Sequence, residues 1–96
     1  MIIVMSELVK KVGLNEAIFL SIIVRHVLVD EKNNVDIDGY TQLSVEEIKE
    51  YTLWTENEQE EIIKSLLEQN AIEVKIMEQS NKRYFKAILK IKDLTV

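Results

Sequence analysis

The chain of 96 residues contains no cysteine and no proline, and it has only two glycines and one histidine. Without cysteine there can be no disulfide and no thiolate-bound metal, and a single histidine cannot build a zinc site. The lack of proline and the scarcity of glycine leave few forced turns, which favours helices and one or two hairpins. We expect no metal and no other cofactor. The absence of cysteine also fits a reducing compartment.

Long hydrophobic runs are missing as well. The apolar start at residues 1–5 is too short for a signal core and has no basic residue before it. The longer run, residues 17–29, is interrupted by Ser21, Arg25 and His26 and is far shorter than a membrane span. Because 47% of the residues are hydrophobic, disorder is also disfavoured. We therefore expect residues 1–96 to form a single cytoplasmic domain with no membrane contact.

Motifs that carry enzyme chemistry are also lacking. The sequence has no Gly-rich phosphate loop, no metal-ligand spacing and no nucleophile motif. The polar segment 30–39 contains four acids, but they lack the regular spacing and closing glutamate of a calcium loop. We expect neither an enzyme nor a small-molecule substrate.

The net charge of −5 is unevenly distributed. Residues 44–73 carry nine glutamates and two lysines, for −7, whereas residues 75–92 carry six basic residues and one glutamate, for +5. The protein is therefore polarised between an acidic middle and a basic C-terminal quarter. Such a charge distribution influences which charged partners each part of the protein can bind.

Apolar spacing and capping patterns predict helices at residues 16–29, 45–51 and 56–70, preceded by a short helix or turn at residues 6–12. Gly13 is expected to stop the first helix and Asn15 to cap the second, with Leu14 and Phe19 packed as a hydrophobic staple. The second helix is apolar on nearly every side, so it is either central or half of a dimer interface. His26 is expected on its surface or in that interface.

The third and fourth helices have capping-box patterns, formed by Ser44 with Glu47 and by Thr55 with Glu58. Only residues 52–54 separate these helices, so they must cross as a helix-turn-helix. Trp54 is expected to anchor that crossing in the core.

A short strand is predicted at residues 40–43. Alternating residues then predict a hairpin whose strands hold residues 72–77 and 85–92, joined by a turn at Ser80-Asn81. This turn would place Ile76 opposite Phe85, Val74 opposite Ala87, and Lys75 opposite Lys86. The predicted fold is α+β, mostly α: a winged helix-turn-helix with a C-terminal β-hairpin as its wing.

Two segments resemble a known family. Residues 8–20, LVKKVGLNEAIFL, resemble an L-A-x-K-I-G-L-N-E-A-I-x-L opening, and residues 51–56, YTLWTE, resemble an F-P-F-W-S-E turn. Both belong to the winged-helix N-terminal domain of phage and plasmid replication-initiation proteins, related to the DnaD-like primosome proteins. The resemblance implies nucleic-acid binding in DNA replication. However, the basic R-T-I-K-R-A-I-K-K-L pattern that follows in the family is here NEQEEIIKSL, residues 57–66.

A helical wheel places Asn57, Glu61, Lys64 and Glu68 on the exposed side of this helix, flanked by Glu60. Each carboxylate pressed to within ~4–6 Å of a phosphate would cost roughly 1–4 kcal/mol. Because weak nonspecific DNA binding amounts to only ~5.5–8 kcal/mol, ordinary major-groove insertion is disfavoured. The glutamates are either a solvated face, supported by a Glu60–Lys64 pair, or a surface for a basic protein. Asn57 and Gln59 could still bind adenine edges.

The candidate nucleic-acid-binding residues are therefore Lys75, Lys82, Arg83 and Lys86 on the outer face and tip of the hairpin, with Asn57 and Lys64 on the fourth helix. These lysines could instead serve only solubility. Two hypotheses remain: weak nucleic-acid binding through the wing, or a protein-interaction and dimerisation module that does not bind DNA. Tyr84, Met77 and Ile88 on the same outer face, with the apolar second helix, favour self-association.

Overall fold

The computed structural model describes residues 5–33, 39–77 and 82–88. This part of the chain is α+β and mostly helical, with a small antiparallel sheet in the strand order β1-β3-β2. The helices are α1 (Met5–Val12), α2 (Leu14–Lys32), α3 (Val45–Thr52) and α4 (Glu56–Glu68). The strands are β1 (Thr41–Gln42), β2 (Ile72–Met77) and β3 (Lys82–Ala87).

Gly13 separates α1 from α2 and is itself the N-cap of α2, with φ of 110°. Such a positive φ is easily adopted only by glycine, so the two helices can follow each other with one residue between them. The prediction that Asn15 caps this helix is wrong, because the helix begins at Leu14 and has no side-chain cap. The staple is wrong too: Leu14 is exposed, whereas Phe19 is fully buried.

The helix α2 lies at the centre of the core. This agrees with the first of the two interpretations of its apolar surface, a central helix or half of a dimer interface. It contacts α1, α4, β1 and β3. The ring of Phe19 lies between two others, stacked on Trp54 at 6.4 Å between centroids and edge-on to Phe85 at 5.4 Å. Trp54 thus packs on the core at the start of the α3–α4 crossing, as expected. The aromatic contacts join the crossing to the sheet.

The connection between α3 and α4 is as short as predicted. Thr55 and Glu58 form the full reciprocal capping box, and Ser44 accepts a hydrogen bond from the Glu47 amide. The helix α3 ends at Thr52, and its C-cap Leu53 adopts a left-handed conformation with φ of 64° and is 82% exposed. A leucine at such a position is uncommon, because its Cβ is crowded there.

The hairpin register differs from the prediction by two residues. Val74 pairs with Phe85, Lys75 with Tyr84, and Glu73 with Lys86, so the predicted pairing of Lys75 with Lys86 is wrong. Because side chains alternate along a strand, a shift of the pairing by two residues does not change the face of the sheet on which a side chain lies. Pattern alone therefore could not distinguish the two registers.

Several predictions fall outside the described residues: the turn at 80–81, the continuation of the last strand through residues 89–92, and the middle of the 30–39 loop. Residues 30–32, at the start of that loop, belong to α2. None of the described helices is long and apolar enough to cross a membrane.

Candidate nucleic-acid interface

In the described strands β2 and β3, the outer face of the hairpin, turned away from the core, carries three lysines and one glutamate. Phe85 is fully buried against the helices, so the neighbouring positions on β3 point to the opposite side. The outer positions of the two strands are Glu73, Lys75 and Met77 on β2, and Lys82, Tyr84 and Lys86 on β3. We call these six residues the lysine face. Its net charge is +2, on a protein whose total is −5.

Tyr40, just before β1, positions two of these lysines. The Lys75 ammonium lies 4.5 Å and that of Lys86 5.5 Å from the centroid of its ring. The Tyr40 hydroxyl donates a hydrogen bond of 2.7 Å to Glu73. Cation–π contacts of this kind hold the charges near the sheet surface while leaving ammonium protons for an anion.

Arg83 does not belong to the lysine face, contrary to prediction. It shares the inner side of β3 with Phe85, over whose ring its guanidinium lies at 5.4 Å. Its Nη1 atom forms an ion pair with Glu60 of α4 at 3.1 Å, and its side chain is only 16% exposed. The sequence could have predicted this, because residues 83 and 85 are two positions apart and side chains two apart on a strand lie on the same face. Arg83 therefore ties the hairpin to α4, and its side chain is mostly shielded from solvent.

The exposed surface of α4 carries the predicted residues Asn57, Glu61, Lys64 and Glu68. The predicted Glu60–Lys64 pair is wrong, because Glu60 pairs with Arg83 across the molecule. Asn57 and Lys64 thus lie among glutamates on a helix, while the three outer lysines lie on the sheet. The structure does not bring the two groups into one site.

Gln59 cannot read bases, because it is fully buried. Its Nε2 donates to the carbonyl oxygens of Val45 at 3.1 Å and Trp54 at 3.2 Å, which ties α4 to the start of α3 and to the turn. Sequence reasoning missed this role. The signal was the spacing of Gln59 with Ile62 and Leu66, which places all three on one helical face.

Two of the open cavities along α2 meet at His26. The first, the apolar groove of about 530 Å³, runs between α2 and the end of α3 and is lined by Ile18, Ile22, Arg25, His26, Val29, Tyr51 and Thr52. The second, the polar cavity of about 400 Å³, is lined by His26, Asp30, Tyr40, Thr41, Gln42, Glu47 and Tyr84. His26 borders both, and its Nε2 lies 3.2 Å from the Tyr51 hydroxyl. In the polar cavity the Thr41 hydroxyl donates to Asp30 at 2.8 Å, and Glu47 accepts from Ser44 at 3.2 Å.

Within residues 5–33, 39–77 and 82–88 no group of three or more histidine or acidic side chains could hold a metal ion. Comparison of the chain with protein-family models, curated proteins and solved structures finds no match. The resemblance to replication-initiation proteins therefore stays a prediction.

Proposed function

We propose that this protein is a winged-helix domain, of phage or mobile-element type, that binds nucleic acid weakly through its hairpin in a replication or regulatory role. The order of α2, β1, α3, α4, β2 and β3, with β1 paired to β3, is compatible with a winged helix. In this interpretation α4 occupies the place of the recognition helix, and the hairpin is the wing.

The lysine face is the observation that carries the proposal. Lys75, Lys82 and Lys86 are held on one side of a sheet, and Arg83 and Glu60 neutralise each other on the other side. The strands therefore separate the cationic surface from the acidic helix α4. Three ammonium groups can neutralise about three phosphates, which corresponds to weak, salt-dependent binding.

The acidic surface of α4 supports contact by the hairpin in preference to insertion of the helix. Glu61 and Glu68 are exposed there, and Lys64 is the single basic residue among α4 residues 56–68. We propose that Asn57 and Lys64 make at most secondary contacts, and that the protein reads little sequence.

A salt titration of DNA binding by fluorescence anisotropy tests the proposal. For about three phosphate contacts, affinity for a duplex falls roughly 40-fold between 50 and 200 mM salt. Lys82→Gln and Lys75→Gln each weaken binding and lower the salt slope by about one. The matched control is Lys10→Gln on α1, an exposed lysine away from the sheet, which leaves binding unchanged. If no duplex or single strand binds at 50 mM salt, the proposal is wrong.

The apolar groove favours a second candidate function, a homodimer or protein-interaction module. Val29 is 50% and Tyr51 57% exposed on its border, and such apolar surface is more often covered in a complex. Light scattering of the wild type and Val29→Glu distinguishes the two functions. A dimer that Val29→Glu dissociates, together with absent DNA binding, would favour this second function. A monomer at millimolar concentration would rule out self-association.

A further inference from the structure

We propose that the bound nucleic acid is single-stranded, and that an unpaired base stacks on Tyr84 at the mouth of the polar cavity. This inference rests on the proposed function and names its ligand. It places the phosphates on the lysines and the base towards the cavity.

Tyr84 is the aromatic residue at the centre of the lysine face. Lys75 lies directly across the strand pair, and Lys82 and Lys86 lie two residues away on either side of it. Two residues along a strand span about 7 Å, so each lysine is a near neighbour of the ring. A partly exposed aromatic ring among lysines is the arrangement that binds single strands, because the base stacks while the cations follow the backbone.

The polar cavity beside Tyr84 suits a base better than a phosphate. Its wall includes the carboxylates of Asp30 and Glu47, both fixed by hydroxyl donors of neighbouring residues. Carboxylates repel phosphate but accept hydrogen bonds from amino groups of bases, as they do from cytosine N4. The lysines outside and the acids inside therefore orient a nucleotide with its phosphate outward and its base inward.

A duplex does not fit this arrangement. Its bases are already stacked and paired, and extruding one costs a few kcal/mol. Three lysine contacts leave little binding energy to offset that cost. An unpaired strand avoids it.

The experiment measures the binding of three DNA probes by fluorescence anisotropy at 50 mM salt. The probes are oligo(dC), oligo(dT) and a mixed duplex, each of roughly 12 nucleotides or base pairs, within the length that a single binding domain covers. We expect both single strands to bind more tightly than the duplex.

Tyr84→Leu should weaken single-strand binding by about 5- to 150-fold, since stacking on an aromatic ring contributes ~1–3 kcal/mol. The matched control Tyr84→Phe keeps the ring and should remain within about twofold of the wild type. Unchanged circular dichroism and melting temperature of both variants would exclude misfolding.

The two pyrimidine strands test the orientation of the base, because they differ at position 4, where cytosine has an amino donor and thymine a carbonyl acceptor. We expect oligo(dC) to bind more tightly than oligo(dT), and Glu47→Gln to reduce that preference. Equal affinities in the wild type would overturn the placement of the base edge in the cavity.

The failure of this inference is distinguishable from the failure of the proposed function. Lysine-dependent duplex binding as tight as single-strand binding, unaffected by Tyr84→Leu, would overturn the inference alone. No binding of any probe would overturn both.

Discussion

The ion pair between Arg83 and Glu60 should stabilise the fold and contribute little to nucleic-acid binding. The two side chains meet at 3.1 Å, and Arg83 is 16% exposed while Glu60 is 57% exposed. Because Glu60 is largely solvated, the pair itself is worth at most about 1 kcal/mol. The contact of the guanidinium with the Phe85 ring adds about 0.5–1 kcal/mol. We therefore expect Arg83→Gln to lower the free energy of unfolding by roughly 1–2 kcal/mol.

A double-mutant cycle isolates the pair. Urea unfolding of Arg83→Gln, Glu60→Gln and the double variant should give a coupling energy of about 0.5–1 kcal/mol that decreases with salt. The matched control is Lys82→Gln, next to Arg83 but on the other face of β3, which should change stability by less than about 0.5 kcal/mol.

The same variants should show the reverse order in DNA binding. Lys82→Gln should weaken affinity and reduce the salt slope by about one, whereas Arg83→Gln should leave affinity within about twofold. The reasoning would be refuted if Arg83→Gln left stability unchanged and weakened DNA binding as much as Lys82→Gln did. That result would mean that Arg83 points outward in solution.

Three further substitutions test the packing by urea or thermal unfolding. Phe85→Ala should cost about 3–5 kcal/mol, because a fully buried ring that contacts Phe19 is lost, and a cost below 1 kcal/mol would contradict the core described above. Thr55→Ala should cost about 1 kcal/mol through loss of the capping box at the start of α4, and an unchanged stability would show that this box does not form. Leu53→Gly should raise stability by about 0.5–1 kcal/mol, because glycine adopts the positive φ of this position without crowding, and a loss of stability would mean that its side chain is packed.

Much of the helical structure could be predicted because its signals are local. The capping box at Thr55 and the short connection after α3 each depend on residues a few positions apart, and both were confirmed. The prediction that Asn15 caps α2 was also wrong for a local reason. Asparagine is a good capping residue, but Gly13 permits the chain to turn earlier. The preference of asparagine for the N-cap position therefore did not decide where α2 begins, because Gly13 adopts a positive φ that only glycine adopts easily.

The candidate site was harder to predict because it depends on contacts between distant elements. The pairing of Lys75 with Tyr84 follows from the hairpin register, which alternation leaves ambiguous by two residues. The pair of Arg83 with Glu60 joins residues 23 positions apart, and no local pattern reports such a contact. The spacing of Gln59 from Ile62 and Leu66 indicated that its side chain is buried. The glutamates on either side of Gln59 instead suggested that this part of α4 faces solvent.

The most direct test of the account compares single-strand affinity in Tyr84→Leu and Lys82→Gln with that of the wild type and Lys10→Gln across a salt series. The account predicts that both hairpin variants bind more weakly, that the salt slope falls with Lys82→Gln but not with Tyr84→Leu, and that Lys10→Gln behaves as the wild type. Identical affinities and slopes for all four proteins would contradict nucleic-acid binding by the lysine face.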